Sequence, residues 1–389
     1  MPTVPDVDPY FAQALRRLRL DRGLSLRGLA RLAHRGKSHL HELETGQKQP
    51  GVEVAQHLDG VLGANGQLAA LVTAAASVRD EADALELVRL VDASDVGIHM
   101  LDRVERAVDD LASGYATIPP TELLPQVRRW LARVGRLLEG RCTLEQHRRL
   151  LVAGGWLALL RATVHIDLRQ PLAADRHLAA ASQLADHAGH REIKAWCLET
   201  RAWDLLAGGD YRQALELSRQ AQAVAPQDSS AFIQATAQEG RAWARMGNRR
   251  ETRRSLDRVA RLASPLRTPD RPEHHYRYDP GKALSYTATT LAWVGDAAAE
   301  EYAREVIADL DGAGRPRRSA SARLDLGLAL LAASKPDEAA AAAEAAIISG
   351  RVVASNWWRA TEVVAGVERT GIGEANDLRD AYETFRPYR

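Results

Sequence analysis

Residues 24–46 read LSLRGLARLAHRGKSHLHELETG, and their pattern is two short amphipathic segments separated by a turn. Ser25 is placed to cap a helix over Leu26–Ala33, because a serine hydroxyl accepts from the unpaired amides of a first helical turn. His34-Arg35-Gly36 breaks that helix, and a second segment runs from Lys37 to Thr45 until Gly46 stops it. At about 100° per residue, Lys37, His41, Thr45, Ser38 and Glu42 share one arc. Leu40 and Leu43 fall on the opposite side, with His39 and Glu44 on the borders. Leu29 and Ala30 supply the apolar surface beneath. A short helix bracing a second one whose polar face is free is the geometry that fits a DNA major groove.

Working outward, Asp8-Pro9 supplies an N-cap and first-turn proline for a helix reaching about Arg22, ended by Gly23. QKQPG (47–51) is a loop. Helices follow over Val52–Leu62, closed by Gly63, and over Gly66–Ala76. The whole chain has 389 residues and a net charge of +1, so no global attraction to a polyanion exists. Its 52 basic residues include only five lysines, a bias that a GC-rich coding genome produces by itself. Local charge is more telling. From Tyr10 to Pro50 nine basic residues face three acidic ones, the surface a nucleic acid selects.

The stretch LRRLRLDRGLSLRGLARLAHRGKSHLHELETGQKQP closely resembles the phage-repressor-like (xenobiotic-response-element) helix-turn-helix family over about residues 10–76. The resemblance implies that the start and outer face of the third helix read bases, here Lys37, Ser38 and Glu42 with His41 and Thr45 alongside. Lysine can donate to guanine and a carboxylate can accept from cytosine. Gln47, Lys48 and Gln49 match phosphate-contacting positions, which set register rather than sequence. Arg27 and Arg35 join them as DNA-contacting candidates. Arg19 and Glu44 match a family ion pair linking the first helix to the third. The chain departs from the family at the turn, where His34-Arg35-Gly36 replaces glycine, an apolar residue and Ser/Thr; His34 fits there only if its backbone avoids strain. Leu26 stands where the family often has a phosphate-contacting glutamine.

Beyond residue 76 the chain stays helical in period, and strand signals are nearly absent. ASVRDEADALELVRLVDASDVG reads as a hinge or helical linker at 77–95, and helices are expected over 96–113, 121–138 and 143–166. An internal repeat then appears. Small residues recur at Ala162, Ala202, Gly240, Ala288 and Gly327, at spacings of 40, 38, 48 and 39. About twelve residues after each comes Ala174, Ala214, Thr252, Glu300 or Ala339, and seven further on Ala181, Ala221, Val259, Ile307 or Ala346. Antiparallel helices approach closely only where side chains are small, and each pair then buries its other face on the next. The clearest copy, RAWDLLAGGDYRQALELSRQAQAVAP (201–226), resembles a tetratricopeptide repeat, with Tyr211, Ala214, Ala221 and Pro226 at its aromatic, small and terminating positions. The long step contains the proline-rich SPLRTPDRPEHHYRYDPG (264–281). The fold class is therefore all-α: an N-terminal five-helix helix-turn-helix domain (1–76), a linker (77–95), and an α-solenoid of tetratricopeptide-like pairs (96–389).

In such repeats the first helix of each pair lines the concave side, and that resemblance makes Trp156, Thr163, Trp196, Glu199, Trp203, Gln234, Arg241, Lys282 and Thr289 the candidate effector-binding set. Aromatic anchors beside charges suit a peptide; tryptophans at helical spacing also suit an inter-repeat core. The whole architecture resembles bacterial regulators, one branch of which senses secreted peptides. PPTELLPQVRRWLARVGRLLEGR with LLVAGGWLALL resembles a second branch common in GC-rich actinobacteria.

Catalytic signatures do not appear: no P-loop, no GxGxxG after a strand, no HExxH and no CxxC. HHYRYD (274–279) offers metal-ligand types without a second cluster, so neither a metal nor a cofactor is expected. Cys142 and Cys197 form no framework, which fits a reducing compartment. The N-terminus lacks an apolar signal core and no uninterrupted run approaches a membrane span of about 18 residues. The expectation is a cytoplasmic, non-enzymatic transcriptional regulator, a repressor, binding a double-stranded operator as a homodimer. Its repeats would take a peptide, small-molecule or protein effector. The alternative is a protein-interaction scaffold with a docking or vestigial helix-turn-helix.

Overall fold

The computed structural model describes residues 9–92, 94–271 and 273–386. The chain divides into two compact units, Met1–Ala93 and Ser94–Arg389. No strand occurs among the described residues.

The first unit contains α1 (Pro9–Asp21), α2 (Leu26–Leu32), α3 (Lys37–Glu44), α4 (Val52–Leu62) and α5 (Gln67–Asp92). The predicted cap Asp8 lies outside the described residues. Ser25 caps α2 by accepting from the Gly28 amide at 3.1 Å. Phe11, Leu15, Leu29, Leu40, Leu43, Leu58, Leu62 and Leu68 form the core. Asp59 is buried and accepts from the Leu68 and Ala69 amides, both at 2.9 Å, so a side chain of α4 satisfies the first turn of α5. Two features depart from the sequence reading. His34 sits at φ 47°, in the left-handed region that costs a side-chain-bearing residue about 1–2 kcal/mol. The helix read as ending at Ala76 continues to Asp92, across most of the stretch read as a linker; residues 77–92 contain no glycine or proline to stop it.

The second unit opens with α6 (Ile98–Gly114) and α7 (Pro120–Glu139). Five helix pairs follow: α8 and α9 (Leu144–Asp167, Pro171–Ala188), α10 and α11 (Arg191–Gly208, Tyr211–Val224), α12 and α13 (Ser230–Arg245, Arg249–Ala263), α14 and α15 (Pro280–Trp293, Ala298–Gly312), and α16 and α17 (Pro316–Ala332, Pro336–Ile348). A 3-10 turn (Ala354–Asn356) leads into a sixth pair, α18 and α19 (Trp357–Glu368, Glu374–Phe385). The repeat is a packing rule made visible. Ala162, Ala174, Ala202, Ala214, Thr252 and Ala339 are each 0% exposed, and a β-carbon on Gly327 would lie 3.0 Å from Val363. Helix stops share the same period: Arg169, Gly209, Gly247, Gly295 and Ser334 all take positive φ, spaced like the small residues. Two of the five are not glycine.

The fourth copy corrects the sequence register by one residue. Ala299 and Val306 are buried there, whereas Glu300 is partly exposed and Ile307 only packs at the margin. In the other copies the buried residue's amide bonds four residues back, as in Ala214 to Asp210 at 3.0 Å; Ala299 bonds three back, to Asp296 at 3.0 Å. The tighter entry rotates the buried face to the preceding residue.

α8 is the one described helix long and apolar enough on average to cross a membrane, yet 78% of that stretch is buried inside the unit. It is the core helix, not a free apolar surface.

The repeats close on themselves. Arg317 of α16 donates to Asp167 of α8 and to the Tyr115 carbonyl beyond α6, each at 2.6 Å. Ser355 of the 3-10 turn donates to the other Asp167 oxygen at 2.6 Å. Arg245 of α12 reaches Glu362 of α18 at 3.1 Å. The 264–281 excursion turns inward: His274, Tyr276 and Tyr278 are buried, and the His275 amide donates to Ala112 at 3.1 Å.

Candidate functional site

In the first unit α3 is oriented by its leucines. Leu40 and Leu43 are 0% exposed, and Lys37, Ser38, His41 and Thr45 lie exposed on the other side. Arg19 fixes the far end of α3: its Nε and Nη2 donate to the two Glu44 oxygens at 2.6 and 2.8 Å, and Nη1 donates to the Leu24 carbonyl at 2.7 Å. This bidentate pair is almost buried, so α3 is pinned to α1 and to the start of α2. Glu42 is half-buried; its carbonyl accepts from the Gln47 and Lys48 amides at 2.8 and 3.2 Å, which folds the following loop against the helix. Gln47 and Lys48 are exposed and Gln49 half-buried. Thr45 turns its hydroxyl back to the His41 carbonyl at 2.8 Å. Arg27, at the first turn of α2, and Arg35, in the turn before α3, are both exposed. Gly36 caps α3 without a side-chain acceptor, leaving the amides of its first turn unserved by the cap.

The second unit contains a cavity of about 220 Å³. Of the nine effector candidates it brings eight together in the wall: Thr163, Trp196, Glu199, Trp203, Gln234, Arg241, Lys282 and Thr289. Trp156 is not among them. Its ring packs on Tyr276, centroids 5.0 Å apart, because the inward excursion covers it. Thr163 keeps its place, with its hydroxyl 3.2 Å from that of Tyr276.

The wall is highly charged for a buried surface. Glu199 accepts from Gln234 at 2.8 Å, and Gln234 also donates to Tyr286 at 2.9 Å. Burial outweighs that bond and nearby Arg241 and Lys282, pushing the Glu199 carboxyl up to about 7. Lys282 donates to the carbonyls of His274 (2.9 Å), His275 (3.0 Å) and Arg277, so it ties down the excursion; burial pulls it down to about 8. Asp325 accepts from Thr289 at 2.5 Å and from Arg359 at 3.2 Å, and burial raises its carboxyl above the usual range. His275 is held neutral by burial and the cations around it.

Sequence reasoning missed Tyr115, Asp167, Glu273, Arg317, Arg318, Asp325 and Arg359 in this wall. Most of these come from the closure of the repeats, which no local pattern encodes. Ser321 was within reach: it is the fifth-copy equivalent of Trp196, Gln234 and Lys282, at the same 38, 48 and 39 spacings. In HHYRYD, His274, Tyr276 and Tyr278 are buried packing residues and His275 lines the cavity wall.

Residues 11–72 match a family described as a helix-turn-helix domain. That match lies within the first unit and spans less than half of the chain. No curated protein matches the sequence. Among solved structures, PlcR of Bacillus thuringiensis in complex with the peptide PapR7 and DNA aligns over 66% of this chain and 94% of that one. The identity is 12% and the TM-score 0.29, too low to establish a common arrangement of helices.

Proposed function

We propose that the protein is a sequence-specific DNA-binding transcriptional regulator, acting in the cytoplasm as a homodimer and repressing its targets. The observation that carries this reading is α3: both leucines fully buried, with Lys37, Ser38 and His41 free on the opposite face, in a segment matching a helix-turn-helix domain. Lys37, Ser38 and Glu42, with His41 and Thr45 alongside, would meet base edges. Gln47, Lys48, Gln49, Arg27 and Arg35 would meet the backbone and set register. Two copies of α3 must reach successive major grooves roughly 34 Å apart, so dimerisation through the helical repeats gives the pair its spacing. An effector in the cavity would act by biasing repeat conformations that space the two helices differently.

Duplex retention on a random-sequence library, followed by footprinting of the enriched site, tests the reading. An enriched palindrome whose binding weakens steeply with salt supports it. Retention of partner proteins with no enriched duplex sequence overturns it in favour of a scaffold.

A further inference from the structure

The cavity wall holds several side chains with unpartnered donors, and Arg241 is the most deeply buried of the arginines among them. Arg241 lies in the C-terminal half of α12, is 1% exposed and lines the cavity wall. One of its five N–H groups is used, Nη1 donating to Gln238 at 3.0 Å. Its Nε and Nη2 are buried and have no acceptor. The guanidinium packs against the rings of Tyr286 and Trp293, each 5.0 Å from the centroid, which steadies its charge but accepts none of its in-plane hydrogens. A buried cation with idle donors is costly, and the cost is removed by an acceptor arriving from outside.

The neighbours cannot supply that acceptor. Asp325 is engaged by Arg359 and Thr289. Glu199 accepts from Gln234 and makes no hydrogen bond to the Arg241 guanidinium. Arg359 is itself short of one partner: its Nε is buried and unpaired. Arg318, also in the wall, has an unpaired Nη2. Two buried guanidinium groups, Arg241 and Arg359, and the half-buried Arg318, which pairs with Glu273 at 3.1 Å, therefore each retain an idle donor in the cavity wall, and Tyr115, Trp196, Trp203 and Tyr286 line the same space. Arg317 and Ser355 on Asp167 tie α16 and the 3-10 turn to α8 at the cavity wall, and a volume of about 220 Å³ suits a compact occupant.

We infer that the cavity is a binding site for a compact organic anion, an aromatic carboxylate or phosphate monoester, whose charged oxygens are received by Arg241 and whose ring lies among the aromatic side chains. A carboxylate offers two oxygens in the plane that a guanidinium's Nε and Nη2 address together, the bidentate geometry of strong anion recognition. The inference rests on the effector reading only for its regulatory consequence; binding itself needs no DNA.

The test uses the full chain and millimolar benzoate, phenylacetate and phenyl phosphate, with benzyl alcohol and benzamidine as neutral and cationic controls. Thermal shift and quenching of tryptophan fluorescence are the readouts. The anions are expected to stabilise and quench while the controls do neither, and the carboxylate and phosphate arms separate the two sources of charge. Arg241→Met should weaken anion binding roughly tenfold or more, the effect of losing a charge-assisted bond, while the ligand-free protein melts no lower than wild type, since a buried unpaired charge has been removed. Arg241→Lys should retain part of the binding. Equal response to benzoate and benzyl alcohol, or full benzoate affinity in Arg241→Met, overturns the site. Anion binding that leaves duplex affinity unchanged would instead overturn the cavity's regulatory role and leave the site standing.

Discussion

Glu199→Gln tests a pH-linked burden in the cavity. The carboxyl is buried, and burial lifts it from about 4.5 to about 7 against the pull of Gln234, Arg241 and Lys282. The folded protein therefore keeps this proton to a higher pH than the unfolded chain does. In that interval the native state binds more protons, so stability falls as pH rises from about 4.5, and the loss is complete above about 7. At 1.36 kcal/mol per pH unit the full penalty is about 3 kcal/mol, of which about 2 accrues between about pH 5 and about pH 7.5. Glutamine keeps the shape and an oxygen for Gln234 but cannot ionise. The variant should match wild type within about 1 kcal/mol near pH 5 and exceed it by about 3 kcal/mol near pH 7.5. Urea unfolding followed by tryptophan fluorescence measures this cleanly, because all eight tryptophans lie in the second unit. Lys282 titrates near 8 in the fold and feels the Glu199 charge, so the comparison is confined to about pH 7.5 and below, where wild-type Lys282 still holds its proton for the most part. A variant-minus-wild-type difference that does not change with pH would refute the reasoning.

Arg19→Met should strand the nearly buried Glu44 carboxylate and cost about 3 kcal/mol; amide exchange confined to the first unit should accelerate, and the rest of the chain should be unaffected. His34→Gly, Arg169→Gly and Ser334→Gly relieve left-handed backbone at residues with side chains, and each should raise the melting temperature of its own unit, by about 1 kcal/mol of stability. Arg169 and Ser334 gain because their counterparts Gly209, Gly247 and Gly295 already use glycine at the same point in the repeat.

The helix ends of the first unit were legible because short side chains and glycines mark them: Ser25 before α2, Gly46 after α3, Gly63 after α4. The end of α5 was not, since charge was read as a boundary where only a glycine or proline would have made one. In the repeats, the small-residue period fixed which face of each first helix looks inward, and that is why Thr163, Trp203, Arg241 and Thr289, each one residue past a small residue, reach the cavity together. Trp156 obeys the same period and fails only because Tyr276 covers it. The fourth copy slipped by one residue because a tighter helix entry leaves no mark in composition. Asp167, Arg317 and Ser355 meet across 150 and 188 residues of sequence; contacts of that range are written in the closure of the whole superhelix, not in any window of it.

The central claim is that the lysine-serine end of α3 reads DNA sequence. Selection of duplexes from a random pool by wild type and by the Lys37→Ala/Ser38→Ala double variant, with helicity checked by circular dichroism, tests it most directly. The expected result is a defined motif enriched by wild type and lost by an equally folded variant that still binds duplex weakly through Lys48, Arg27 and Arg35. Enrichment of the same motif by both proteins, or of none by wild type, would contradict it.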